Sequence, residues 1–168
     1  MNITLKITDA LLASVRTDLD RPHRFALERV GFLTAGAARV QGGILLLCRA
    51  YHPVADEDYE RSRTVGAQIG SDAMRKGLEA ALANNSALIH VHSHGGRGNP
   101  DFSGTDLRSA DEFVPGFFNA LRRVPHGLVV LSDDSARGLL WTSRRDRPQN
   151  ISGFVQVGSA VRKFGAIA

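Results

Sequence analysis

The chain carries one cysteine in 168 residues, Cys48. That single count excludes an internal disulfide, a thiolate zinc cage and a Cys-x-x-Cys redox pair. In the apolar run "GGILLLCRA" the cysteine reads as a small buried residue. Long hydrophobic runs are missing too. No stretch approaches the roughly 20 apolar residues that span a bilayer, and the start "MNITLKITDALLASVRTD" has no signal-peptide h-region. A soluble, cytoplasmic protein with no membrane partner is expected. Aromatic residues make up only 7% and do not interleave with the arginines of "LRRVP" and "SRRDRP". The net charge of +4 is therefore a poor argument for nucleic-acid binding and suits an acidic protein partner better. The chain has no His-Glu-x-x-His and no Pro-Cys-x-x-Cys, which removes the zincins and the zinc deaminases.

What is present is ordinary globular material, 43% apolar and 23% charged, enough for a single domain over residues 1–168. "TDALLASVRTDLDR" predicts a helix capped by Thr8. "RFALERVGFLTAG" and "GGILLLCRAYHPV" read as neighbouring strands with a turn at Gly42 and Gly43. "ADEDYERSRTVG" is expected as an exposed loop, with Asp56, Glu57, Asp58 and Glu60 solvated rather than holding a metal. "SDAMRKGLEAALANN" predicts an amphipathic helix with a serine cap. "SALIHVHSH" is a strand, "GGRGNPDFSG" a loop, and "DLRSADEFVPGFFNALRRV" a helix bent near Pro115. "HGLVVLSD" and "RGLLWTSR" form a hairpin around "DDSA". The fold class is α+β, a mostly antiparallel sheet flanked by helices.

Chemistry concentrates in "HVHSHGG". His90, His92 and His94 alternate, so all three imidazoles share one strand face. His90 and His94 lie about 13 Å apart along such a strand, too far to meet on one ion with metal–nitrogen bonds of about 2.0–2.1 Å. His92 pairs with one or the other. After the glycine loop, Ser103 and Asp106 stand three apart at a helix start and face back toward the strand end. Asp106 can add an oxygen ligand, and zinc held by two histidines and one carboxylate keeps a fourth position for water, as in a hydrolytic site. Glu28 in "LERVGFL", on an early strand between Leu27 and Val30, is placed to be a partly desolvated proton acceptor; equally, a strand-edge glutamate would face water. His23, His52 and His126 are isolated and read as makers of surface or loop hydrogen bonds. Trp141 reads as a core or sheet-face aromatic.

Glu28 before "RVGFL", then "HSH" from His92 to His94, then "SGTD" from Ser103 to Asp106, resembles the signature of the JAMM metallopeptidases, also called JAB or MPN+ domains. The likeness covers about residues 5–145. Two differences stand out: Gly95 follows the second histidine where the family has proline, and the loop from His94 to Ser103 is one residue longer. The resemblance implies a cytidine-deaminase-like fold with a curved sheet between helices. It implies one zinc ion on His92, His94 and Asp106, Glu28 as general base and later acid, and Ser103 as the oxyanion donor. His90 is then left as a packing residue or a support for the site's hydrogen bonds.

The activity implied is cleavage after the C-terminal glycine of a ubiquitin-like protein, as a deconjugating isopeptidase or a precursor-processing peptidase. The partners implied are that protein or its conjugates and the activating and conjugating enzymes of a bacterial operon, some of which serve antiviral defence. The family's substrate-pairing insertion would correspond to "YHPVADEDYERSRTVG". The alternatives are a metallohydrolase that releases an amino acid or peptide from a sulfur-carrier protein, and a catalytically silent MPN scaffold.

Overall fold

A computed structural model describes residues 1–61 and 66–165. The order of elements is β1 (Asn2–Thr8), α1 (Asp9–Leu19), β2 (Val30–Val40), β3 (Gly43–Pro53), α2 (Ser71–Leu82), β4 (Ala87–Ser93), α3 (Gly104–Ala120), β5 (His126–Leu131), β6 (Ala136–Trp141), β7 (Gln149–Asn150), β8 (Gly153–Val157) and β9 (Val161–Phe164). The strands join in one curled sheet, ordered β7-β6-β5-β4-β2-β3-β1-β8-β9. Five neighbouring pairs are antiparallel, and β1–β3, β1–β8 and β4–β5 are parallel. The sheet is thus mixed with an antiparallel majority, and the class is α+β.

Alternation along the strands divides the apolar side chains between two faces. Ile3, Leu5 and Ile7 of β1 join Leu12, Val15 and Leu19 of α1 on one face. Phe32 of β2, Leu88 of β4 and Leu128 of β5 join Ala73 and Ala81 of α2 and Val114, Phe117 and Phe118 of α3 on the other. β1 shows the cleanest period of two in the chain, N-I-T-L-K-I-T, a strand signal hidden in sequence beside the stronger helix signal that follows it. Thr8 caps α1 as expected, its side chain accepting from the Leu11 N–H. For α2 the expected serine cap is corrected: the cap position is Gly70, with no side-chain bond, and Ser71 is the first helical residue. α2 seats Gly77 on Phe32, where an added Cβ would stand 3.0 Å from the ring.

In the acidic segment after β3, Asp56, Glu57 and Glu60 are exposed as expected, and Asp58 is half-buried. The first residues of the expected substrate-pairing insertion, Tyr51–Pro53, belong to β3. Tyr59 is buried, donates its hydroxyl to the Val30 carbonyl and accepts from the Val30 N–H. Asp56 pairs with the buried Arg29 at 2.7 Å, Asp58 with Lys76 at 2.6 Å, and Glu60 accepts from Gln68. Asp56, Asp58 and Glu60 each meet a separate partner and so fasten the segment. Residues 62–65, inside both the expected loop and the expected substrate-pairing insertion, lie outside the described residues.

Candidate metal centre

β4 lies between β2 and β5 and is buried on both faces. Ala87, Ile89 and Val91 face α1, and the even positions, His90 and His92 among them, face α2 and α3. The chain pairs one residue beyond the strand, the His94 N–H donating to the Leu131 carbonyl at 3.0 Å, so His94 keeps the face of His92. The ring nitrogens His92 Nε2 and His94 Nε2 stand 3.2 Å apart. His90 packs between Phe32 and Phe113, with ring centroids 5.6 and 5.1 Å away, and its Nδ1 has no hydrogen-bond partner among the described residues. Burial first, then the neighbouring His92, pushes its pKa down to about 3.

β4, α3 and β5 form a parallel crossover, which brings the start of α3 to the end of β4 where His92 and His94 stand. Ser103 caps α3 with a complete reciprocal box: its Oγ accepts the Asp106 N–H at 3.1 Å, and its own N–H donates to Asp106 Oδ2 at 2.7 Å. The box aims the Asp106 carboxylate at the histidines, with Oδ1 3.5 Å from His92 Nε2 and Oδ2 3.4 Å from His94 Nε2. Burial works against the charged form of Asp106, yet the hydrogen bonds and charge of His92, with Ser103, hold its pKa well below the usual carboxylate range.

Glu28 arrives from the other side. The β2–β4 register sets Val30 opposite His92 and Gly31 opposite Val91, so two residues before Val30 the chain comes level with His94. Glu28 is not on a strand as expected; it lies in a bend two residues before β2. Nor does Leu27 shield it, being 90% exposed. The cover is Gly66. Its carbonyl accepts the N–H groups of both Leu27 and Glu28, at 2.8 and 3.1 Å, and a Cβ on it would lie 2.6 Å from Glu28 Cδ. The bend is held by Arg29, 3% exposed, which donates to the carbonyls of Arg21 and Pro22 and to Asp56. Glu28, His92 and His94 each offer a ligand atom, and the three atoms lie within 4.8 Å of one another.

The donor set fits a zinc ion. A tetrahedral ion with bonds of about 2.0–2.1 Å has ligand–ligand edges of about 3.3–3.4 Å; the two ring nitrogens stand 3.2 Å apart, and the Asp106 carboxylate reaches His92 through Oδ1 at 3.5 Å and His94 through Oδ2 at 3.4 Å. Imidazole nitrogens and a carboxylate also match zinc in ligand type. One feature departs from common practice. A ligating histidine usually donates its second ring nitrogen, but His92 Nδ1 is buried with no partner among the described residues.

The glycine loop after His94 is braced by the β5–β6 turn. The Asp133 N–H donates to the Gly96 carbonyl, Ser132 Oγ donates to that of Gly98, and the Gly98 N–H donates to Asp134. Gly95, Gly96 and Gly98 all have positive φ, a backbone that disfavours side chains. The cluster lines a cavity of about 650 Å³ that extends to Met74 of α2, His90 of β4, Phe113 of α3 and Leu128 of β5. Gly66, Arg29 and the β5–β6 turn were not legible as parts of the site, since each acts through a partner far away in the chain.

The remaining histidines differ from expectation in part. His126 is fully buried, Nδ1 accepting the Leu88 N–H and Nε2 3.0 Å from the Leu121 carbonyl. His23 accepts from the N–H groups of Phe25 and Ala26, and His52 Nε2 lies 3.4 Å from Thr34 Oγ1. Trp141 is in the core. Cys48 is half-buried against the core, and burial pushes its thiol up to about 12, so it stays protonated and unreactive.

No family model matches the chain, and no curated protein matches it. Among solved structures, the N-terminal domain of STIL from Trichoplax adhaerens is similar over 81% of this chain and 40% of that one, at 10% identity and a TM-score of 0.39. The chain thus spans less than half of that structure, and a likeness this low carries no argument about fold or function.

Proposed function

We propose that the chain is a zinc-dependent peptidase or isopeptidase of JAMM type, cleaving after the C-terminal glycine of a ubiquitin-like protein. One observation carries the reading. Two imidazoles and a carboxylate converge at ligand-edge distances, and a second carboxylate, from a different element, stands within reach of both rings.

His92, His94 and Asp106 would hold the ion, which when bound would supply a Lewis acid that makes water acidic and polarises the scissile carbonyl. Glu28 does not share the capping box, and its carboxylate would take a proton and return it to the departing amine. Ser103 Oγ spends one lone pair on the Asp106 N–H and keeps its O–H to donate toward developing negative charge on the carbonyl oxygen. The glycine loop leaves open space over Gly95, Gly96 and Gly98, so the extended tail of a protein substrate can come close to the metal without meeting a Cβ.

Glu28→Gln tests the assignment. The variant should hold zinc like the wild type, read by metal analysis, and lose cleavage of a ubiquitin-like fusion; retained cleavage would remove Glu28 from the role of base.

A further inference from the structure

At the end of the strands away from the histidine cluster, charge is of nearly one sign. β4 starts there and reaches the cluster with its last residues, and α3 ends there after 17 residues, about 25 Å from its capped start. The β2–β3 turn and the α2–β4, α3–β5 and β6–β7 links meet at this end, because the register sets Arg39 opposite Ile44, Ala35 opposite Ala87 and His126 opposite Trp141. Arg39, Arg122, Arg123, Arg144, Arg145 and Arg147 stand in or beside these connections, all exposed, against the single carboxylate of Asp146. Their surplus exceeds the +4 of the whole chain, so the rest of the molecule is not basic. Asp146 accepts from the Thr142 hydroxyl, and Arg144 donates to the Asn119 side-chain carbonyl. Among the described residues none of the six arginines pairs with a carboxylate.

Two of the arginines share a small cleft. Arg39 and Arg123 line a space of about 100 Å³ together with Ile44, Pro125 and Thr142. That is below the roughly 300 Å³ at which small-molecule sites begin, and it suits a single side chain. Each guanidinium presents a planar fork of donors that meets a carboxylate two bonds at a time. The four connections contain no aromatic residue, and Trp141 beside them is buried, so nucleic-acid bases find no ring to stack on. We infer that this end is a docking surface for an acidic segment of a partner protein. One carboxylate of the segment sits between Arg39 and Arg123, and others meet Arg122, Arg144, Arg145 and Arg147. The partner is held at the far end of α3 and leaves the histidine cluster uncovered. The inference does not depend on the chemistry proposed for that cluster.

Binding is read by fluorescence anisotropy on the full chain, with a fluorescein-labelled peptide of alternating glutamate and alanine. The same peptide with glutamine for glutamate, a labelled oligothymidylate and a short labelled DNA duplex serve as comparisons. The glutamate peptide should bind tightest of the four in 0.1 M salt. It should be released in 1 M salt, where the screening length falls from about 10 Å to about 3 Å. The pair Arg39→Glu and Arg123→Glu should weaken it about tenfold, as two lost exposed ion pairs and two new repulsions allow. The milder pair Arg39→Gln and Arg123→Gln should weaken it about threefold. Arg75→Glu with Arg162→Glu changes the net charge by the same amount on α2 and β9, and should leave the affinity near that of the wild type. Three results would each overturn the inference: a glutamine peptide that binds as well as the glutamate peptide, an oligonucleotide that binds more tightly, or equal losses from the two charge-reversed pairs.

Discussion

His126 ties the strand that carries His92 to the helix that carries Asp106, the two elements of the proposed metal site. Its Nδ1 accepts the N–H of Leu88, at the start of the strand that carries His92, and its Nε2 meets the carbonyl of Leu121, at the end of the helix that carries Asp106. The bond to Leu88 makes Nδ1 the acceptor and Nε2 the N–H donor, which fixes the tautomer. His126→Phe keeps a ring of similar size, so the cost is chiefly that of two stranded buried groups. At about 1–3 kcal/mol each, that is ~4 kcal/mol together. For a chain of this length about 2–4 °C is lost per kcal/mol, so the melting temperature should fall by ~8–16 °C.

The same residue gives stability a pH dependence of known sign. Burial lowers the folded-state pKa of His126 below its ordinary 6.5, outweighing the bond to the Leu121 carbonyl that raises it. Below 6.5 the unfolded chain takes up a proton that the folded chain refuses, so this contribution to stability is present above 6.5 and lost as the pH falls through and below it. Thermal melts of wild type and variant at pH 7.5 and 5.5, both in chelator, measure the two effects together. The variant should melt lower at pH 7.5, and the gap should narrow at pH 5.5. A variant within 1 °C of wild type, or a gap that widens in acid, would refute the reasoning.

Ser103→Ala removes the cap of α3 and the proposed oxyanion donor at once. Calorimetry should show a loss of about 1 kcal/mol, and turnover of a ubiquitin-like fusion should fall by roughly 10²–10³ with zinc retained. Gly66→Ala puts a methyl group 2.6 Å from Glu28 Cδ, so the carboxylate must swing away; cleavage should be lost with a melting temperature close to wild type. Asp106→Ala should lower zinc stoichiometry after dialysis while circular dichroism shows the helices still formed.

The candidate ligands of the proposed site were legible from local spacing because each part is a local device. Alternation on a strand puts His92 and His94 on one face, and a serine three residues before an aspartate at a helix start makes a capping box whatever the helix packs against. Glu28 was legible as a residue but not as a place, since its surroundings come from Gly66, 38 positions later, and from the Arg29–Asp56 pair. Leu27, which looked like its cover, points to solvent. β1 was missed although it alternates cleanly, and α2 was found with the wrong cap because Ser71 and Gly70 are adjacent and only the backbone distinguishes them.

Composition alone ruled out disulfides, thiolate metal cages and a bilayer-spanning apolar run, since each needs residues in numbers that the chain lacks. Local pattern alone determined the histidine face, the α3 cap and the α+β class, because strand and helix periodicities are set by the backbone. Only the tertiary structure sets His94 beside Asp106: the β4–α3–β5 crossover carries that carboxylate to 3.4 Å from His94 Nε2 and leaves His90 among the phenylalanines. The cavity that the cluster lines exists only in the fold too, because its walls come from β2, α2, β4, α3 and β5, segments that no sequence window contains together.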